Sequence, residues 1–141
     1  MARILALDYG KKRTGIAVTD ELQIIASGLT TVPTDELILF LKTYLKAEKI
    51  CLFLVGKPMQ MNYTASESEA LIKPFLKVLK SNFKNIPVKR VDERFTSKMA
   101  FKTMIEGGLS KKHRRNKALV DEISATIILQ TYLYSQNKST L

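Results

Sequence analysis

The chain opens on an apolar run, RILALD (Arg3–Asp8), that ends on a carboxylate. An unbroken run of this length predicts a strand buried on both faces. A second run, TGIAVTD (Thr14–Asp20), is rich in β-branched residues and glycine, and Tyr9 to Arg13 between the two suits a hairpin connection. IIASGLTTV (Ile24–Val32) continues as a third strand, interrupted near Gly28 and stopped by Pro33. Asp20 reads as a turn residue.

From Thr34 onward the pattern alternates between helix and strand. Thr34 is placed to cap a helix whose apolar residues Leu37, Ile38, Leu41 and Leu45 recur at helical spacing, with Asp35 and Glu36 in the first turn. CLFLV (Cys51–Val55) is a short buried strand ending at Gly56. Thr64 and Glu67 stand three apart like a capping box and open a second helix, in which Pro74 predicts a kink or a late start. VKRV (Val88–Val91) is the fifth strand and runs into DERF. Thr96 is placed to cap a helix reaching about Ile105, GGLSKKHRRNK is a loop, and a last helix is expected from about Lys117 to Tyr134. Strands joined through helices are usually parallel. The order therefore predicts an α/β fold: a mixed five-stranded sheet, antiparallel over its first three strands and parallel thereafter, with helices on its faces.

Composition narrows the function classes. The 141 residues fit one domain spanning 1–141, and 45% hydrophobic content is enough for a real core. No apolar run approaches the roughly 18 residues of a membrane span, and the start lacks a signal-peptide pattern, so the cytoplasm is the default compartment. The single cysteine, Cys51, lies in an apolar stretch and reads as a small buried hydrophobe. Net charge is the informative number. Lys and Arg total 23 against 13 acids, giving +10, an excess that favours polyanionic partners. A merely soluble basic protein is the plain alternative. An anionic membrane is a weaker rival, because no long basic amphipathic helix with an aromatic face is present.

Acids fall at three places where chemistry collects. Asp8 ends the first strand, and in open α/β sheets sites form beyond the carboxyl ends of parallel strands. Asp92 and Glu93 end the last strand at the same edge. On the last helix Ala118, Asp121, Ala125, Ile128 and Tyr132 fall three or four apart, so Asp121 lies on the stripe that continues as core. A lone carboxylate there needs a cation or donors, and Lys117 one turn earlier is the simple remedy. If Asp8, Glu93 and Asp121 converge, two of them about 4 Å apart repel by about 4 kcal/mol at an effective dielectric near 20. Protons or a hard cation must relieve this, and Mg²⁺ or Mn²⁺ held by carboxylates is the common solution. Each acid also has a structural reading. Asp8 can bond the following turn, Glu93 can be a solvated strand end, and Asp92, pointing the other way along its strand, fits a structural pairing with Arg94.

These residues resemble a family. LDYGKKRTGIAVTD, VGKP, VDERFTS and KALVDEISATIILQTYL together are similar to the YqgF family, also called RuvX. Its members are Holliday-junction-resolvase-like proteins regarded as pre-16S rRNA nucleases. The resemblance covers nearly the whole chain. It implies an RNase H-like fold related to that of RuvC. It also implies active-site acids at Asp8, Glu93 and Asp121, with Arg13, Arg94 and Thr96 as supports, and a cytoplasmic role in maturing the 5′ end of 16S rRNA. One segment departs from the family pattern: after GKP the chain reads MQMNYTASE, with Asn62 in place of the usual Asp and without the following glycines.

The basic residues complete the expectation. Lys11, Lys12 and Arg13 follow Asp8. Lys111, Lys112, Arg114, Arg115 and Lys117 precede Asp121. Phosphate contacts give affinity and position without reading sequence, so both groups are candidate backbone contacts. Arg13 has a second reading, as a structural partner of an acid, and the loop a second reading as a solvated segment. His113 is the only histidine, which excludes a histidine-based metal site. Three functions follow: a metal-dependent nuclease on structured RNA, a nuclease on branched DNA with the same chemistry, and a nucleic-acid-binding assembly factor without catalysis. Oligomeric state is not legible.

Overall fold

A computed structural model describes residues 2–58, 67–92 and 117–139, with backbone alone at 67, 68, 117 and 137–139. The strands are β1 (Arg3–Asp8), β2 (Arg13–Thr19), β3 (Ala26–Pro33), β4 (Ile50–Lys57) and β5 (Val88–Asp92). The helices are α1 (Leu37–Ala47), α2 (Glu67–Asn82) and α3 (Lys117–Ser139), with a 3₁₀ turn at Thr34–Glu36 ahead of α1. The sheet order is β3-β2-β1-β4-β5. β1–β2 and β2–β3 pair antiparallel, while β1–β4 and β4–β5 pair parallel. This is the mixed five-stranded sheet that the sequence predicts.

The alternation of strand side chains divides the core in two. Leu5, Leu7, Ile16, Val18, Phe53 and Val55 face α1 and α2, where they meet Leu37, Leu41, Ile72, Phe75 and Leu79. Ile4, Ala6, Ala17, Leu52, Leu54 and Val91 face α3 and meet Ala125, Ile128 and Leu129. β1 is buried on both faces because helices cover both, which is why its sequence is a continuous apolar run.

Several local expectations change. Cys51 is exposed rather than buried. The β1–β4 register shifts between Arg3 and Ile4, which pair with Ile50 and Leu52, so Cys51 is the extra residue of a bulge and its side chain leaves the core. β3 begins at Ala26; Ile24 and Ile25 instead lie exposed in the β2–β3 turn. There Asp20 Oδ1 accepts both of their backbone N–H groups at 2.8 Å, which is the turn role expected of Asp20. The predicted interruption near Gly28 is a register shift: Ile16 pairs Thr30 and Ala17 pairs Gly28, leaving Leu29 extra. Thr34 makes no cap bond to the helix. α2 runs through Pro74; Pro74 and Ala70, whose carbonyl loses its intrahelical donor, are both exposed to water. Thr64 of the proposed capping box, and the stretch from Thr96 to Ile105, lie outside the described residues. α3 extends to Ser139, beyond the expected end at Tyr134. No helix among the described residues is long and apolar enough to cross a membrane.

Candidate active site

β1 delivers Asp8 to the carboxyl edge of the sheet. Asp8 shares strand parity with Ile4 and Ala6, which pack toward α3. The next residue confirms the phase: Tyr9 stacks on Phe75 of α2, on the opposite face, with ring centroids 4.4 Å apart. Burial raises the Tyr9 phenol above its ordinary pKa, so that ring is an anchor held neutral. Beyond it the chain turns sharply at Gly10, where a Cβ would come within 2.5 Å of the Arg13 carbonyl oxygen. Thr34 fastens this turn from the far side. Its hydroxyl donates to the Gly10 carbonyl at 2.6 Å and meets the Thr14 hydroxyl at 2.9 Å, and its N–H donates to the Lys12 carbonyl at 3.0 Å. Lys11 and Lys12 are thereby exposed on a fixed backbone. The residue read as a helix cap is a clamp on the basic turn.

α3 delivers Asp121 to the same place. Gly15, the cross-strand partner of Asp8, lies under the start of α3, and a Cβ there would overlap the Asp121 carbonyl. Paired Cα atoms on antiparallel strands are about 5 Å apart, so this contact sets Asp121 beside Asp8. The Thr31 hydroxyl of β3 donates to the Ala118 carbonyl at 2.6 Å and fixes the first turn of α3. Ala118 itself is exposed, so the buried stripe begins at Ala125 rather than at Ala118. The partner of Asp121 is Arg13: its Nε donates to Oδ2 at 2.7 Å, with the two side chains 36% and 24% exposed. The structural reading of Arg13 is therefore realised, and among the described residues the cation at Asp121 comes from β2.

At the other side of the edge, β4 and β5 end together, with Gly56 opposite Val91 and Lys57 opposite Asp92. Val91 faces α3, whereas Asp92 has the parity of Arg90 and Val88, toward α1 and α2. Asp92 thus points away from the α3 face, the direction its place along the strand predicts. Arg90 makes a fork-to-fork pair with buried Glu69 of α2, at 2.7 and 3.2 Å, and also donates to the carbonyls of Val55 (3.2 Å) and Gly56 (2.9 Å). Sequence reasoning missed Glu69. Its one signal was an acid in the first turn of a helix, 21 residues before an arginine on a strand.

Glu93, Arg94, Thr96, Lys111, Lys112, Arg114 and Arg115 lie outside the described residues. So do His113, the altered segment after GKP from Met59, and the side chain of Lys117, which opens α3. Among the described residues no group of three His, Cys, Asp or Glu side chains could hold a metal ion. Asp8 and Asp121 nonetheless supply the hard oxygen donors that Mg²⁺ or Mn²⁺ takes, and Arg13 beside Asp121 shows that this carboxylate already carries a cationic partner.

Residues 2–135 match the model of a family described as RuvX, Holliday junction resolvase. The chain belongs to the RuvX family. A protein of Christiangramia forsetii named "Putative pre-16S rRNA nuclease" is 67% identical over 134 residues, covering 95% of this chain and 99% of that one. Proteins of the same name from Flavobacterium psychrophilum and Bacteroides thetaiotaomicron are 61% and 60% identical, covering 94% and 96% of this chain and 97% and 99% of their own lengths. Among solved structures, this RuvX chain resembles Thermus thermophilus RuvC, alone and in complex with a Holliday junction substrate. Both comparisons give a TM-score of 0.58 and cover 96% of each chain, at 16% and 17% identity. At that identity the likeness shows the fold: RNase H-like.

Proposed function

We propose that this protein is a metal-dependent nuclease that hydrolyses phosphodiester bonds of pre-16S rRNA in the cytoplasm during ribosome assembly, through Asp8, Glu93 and Asp121. The observation that carries the reading is the placement of Asp8 opposite Gly15, with α3 seated on Gly15 so that Asp121 enters beside it. Two acids separated by most of the chain are thereby brought to one sheet edge, next to an exposed basic turn. Glu93 lies two positions beyond Val91 in the sequence. The relatives, each named "Putative pre-16S rRNA nuclease", support the reading.

In this reading Asp8, Glu93 and Asp121 would hold Mg²⁺ or Mn²⁺, which would supply activation of a water and stabilisation of the leaving oxygen. The chain's own residues do the rest. Arg13 pairs with Asp121 and offsets part of its charge. Lys11 and Lys12, on the turn that Thr34 fixes, take phosphate oxygens of the substrate, and Arg94, Thr96, Lys111, Lys112, Arg114, Arg115 and Lys117 extend that contact. The family description and the RuvC complex favour a second substrate, branched DNA, with the same acids. Side-by-side incubation with rRNA precursor and a four-way DNA junction, with Mg²⁺ or Mn²⁺ and with chelator, decides between them. Metal-dependent cleavage of the precursor at its 5′ side is expected. Cleavage of the junction alone would move the assignment to DNA.

A further inference from the structure

α2 has two different faces, one toward the sheet and one toward solvent. Ile72, Phe75 and Leu79 fill the core. Lys73, Lys77 and Lys80 are exposed, and their spacing of four and three residues keeps them within an arc of about 60° over about 10 Å of helix. Lys84 follows just past the helix end and is exposed too. No acid occurs in the sequence from Ala70 to Val91. Among the described residues none of these four lysines is in an ion pair, and the pairs present are all made by arginines: Arg3–Glu48, Arg13–Asp121 and Arg90–Glu69. α1 is different. Asp35, Glu36 and Glu48 accompany Lys42, Lys46 and Lys49, so that surface is balanced.

We infer that the lysine stripe of α2 is a second nucleic-acid contact, gripping the phosphate backbone of a duplex arm that leaves the catalytic edge. The inference rests on the nuclease reading and adds to it a surface that reading does not use. β4 ends at the catalytic edge and α2 follows it in the chain, while Arg90 ties the first turn of α2 to the end of β4 through Glu69. The stripe therefore starts near that edge and descends the flank opposite α3. Three like charges along one helix face, with no paired counter-charge among the described residues, repel one another; a polyanion laid along them removes that cost and releases its own counterions. Such a contact carries affinity and no sequence information.

The test is the salt dependence of binding to a blunt RNA duplex and to the same-length DNA duplex. Wild type is compared with the triple variant Lys73→Ala, Lys77→Ala, Lys80→Ala and with an equal-charge control, Lys42→Ala, Lys46→Ala, Lys49→Ala. Each lost duplex phosphate contact lowers the slope of log K against log salt by about 0.9, so the α2 variant should lose about two to three units of slope. The control should keep the wild-type slope and the wild-type turnover at saturating precursor. Equal slopes in the two variants would reduce the stripe to net charge and overturn the inference. Loss of binding to anionic vesicles in the α2 variant, with its duplex slope intact, would overturn it in favour of a membrane surface. Absence of metal-dependent cleavage by wild type would instead strike the nuclease reading, and is read in a separate assay.

Discussion

Arg13 Nε donates to Asp121 Oδ2 at 2.7 Å across a separation of 108 residues, joining the start of β2 to the first turns of α3. The same aspartate is the proposed metal ligand, so one carboxylate serves two cations. The pair is partly exposed, and such pairs contribute at most about 1 kcal/mol. Arg13→Ala should therefore fold with a small loss of stability by urea titration. It should bind Mn²⁺ more tightly than wild type, because a competing positive charge is gone. Weaker Mn²⁺ binding by calorimetry would mean that Arg13 supports the site rather than competes at it.

Gly15 and Gly28 both lie under α3, but against different atoms. A Cβ at Gly15 meets the backbone of Asp121, which can only move with the helix; at Gly28 it meets the Glu122 side chain, which can swing away. Gly15→Ala is expected to cost about 1–3 kcal/mol of stability as an overpacked contact, and to depress metal binding by displacing Asp121. Gly28→Ala should cost less and leave metal binding intact. Parallel urea melts and Mn²⁺ titrations check the order; equal effects at the two glycines would mean that α3 is not held against Gly15.

Much of this arrangement was legible before any coordinates. The continuous apolar run of β1 required cover on both sides, and the structure supplies α1 and α2 on one face and α3 on the other. Asp8 and Asp121 stood out as acids at the ends of apolar patterns. What stayed hidden depended on partners distant in sequence. Cys51 looked buried because periodicity does not reveal a bulge. Thr34 looked like a cap because its local sequence fits one, whereas its hydroxyl is taken by Gly10 and Thr14. Arg13 and Glu69 could not be paired from sequence, because a charge names no partner until the fold brings one near.

Acid should weaken the β2–β3 turn through Asp20. The backbone N–H groups of Ile25 and Ile24 hold its carboxyl below the usual carboxylate pKa. A depressed folded pKa contributes stability that is present above the unfolded value, near pH 4, and fades as pH falls through the folded one. Asp20→Ala should therefore melt lower than wild type at pH 7, and the gap should shrink as pH drops below about 4. A gap that widens in acid would reverse the sign of the linkage.

The most direct test of the central claim is cleavage of 16S rRNA precursor by wild type and by Asp8→Asn, with Mn²⁺ calorimetry and circular dichroism on the same preparations. Asp8→Asn removes one negative charge from the edge without changing its shape. The account predicts an unchanged fold, weakened Mn²⁺ binding and loss of cleavage, with wild-type activity abolished by chelator. An Asp8→Asn protein that binds Mn²⁺ and cleaves the precursor as wild type does would contradict it.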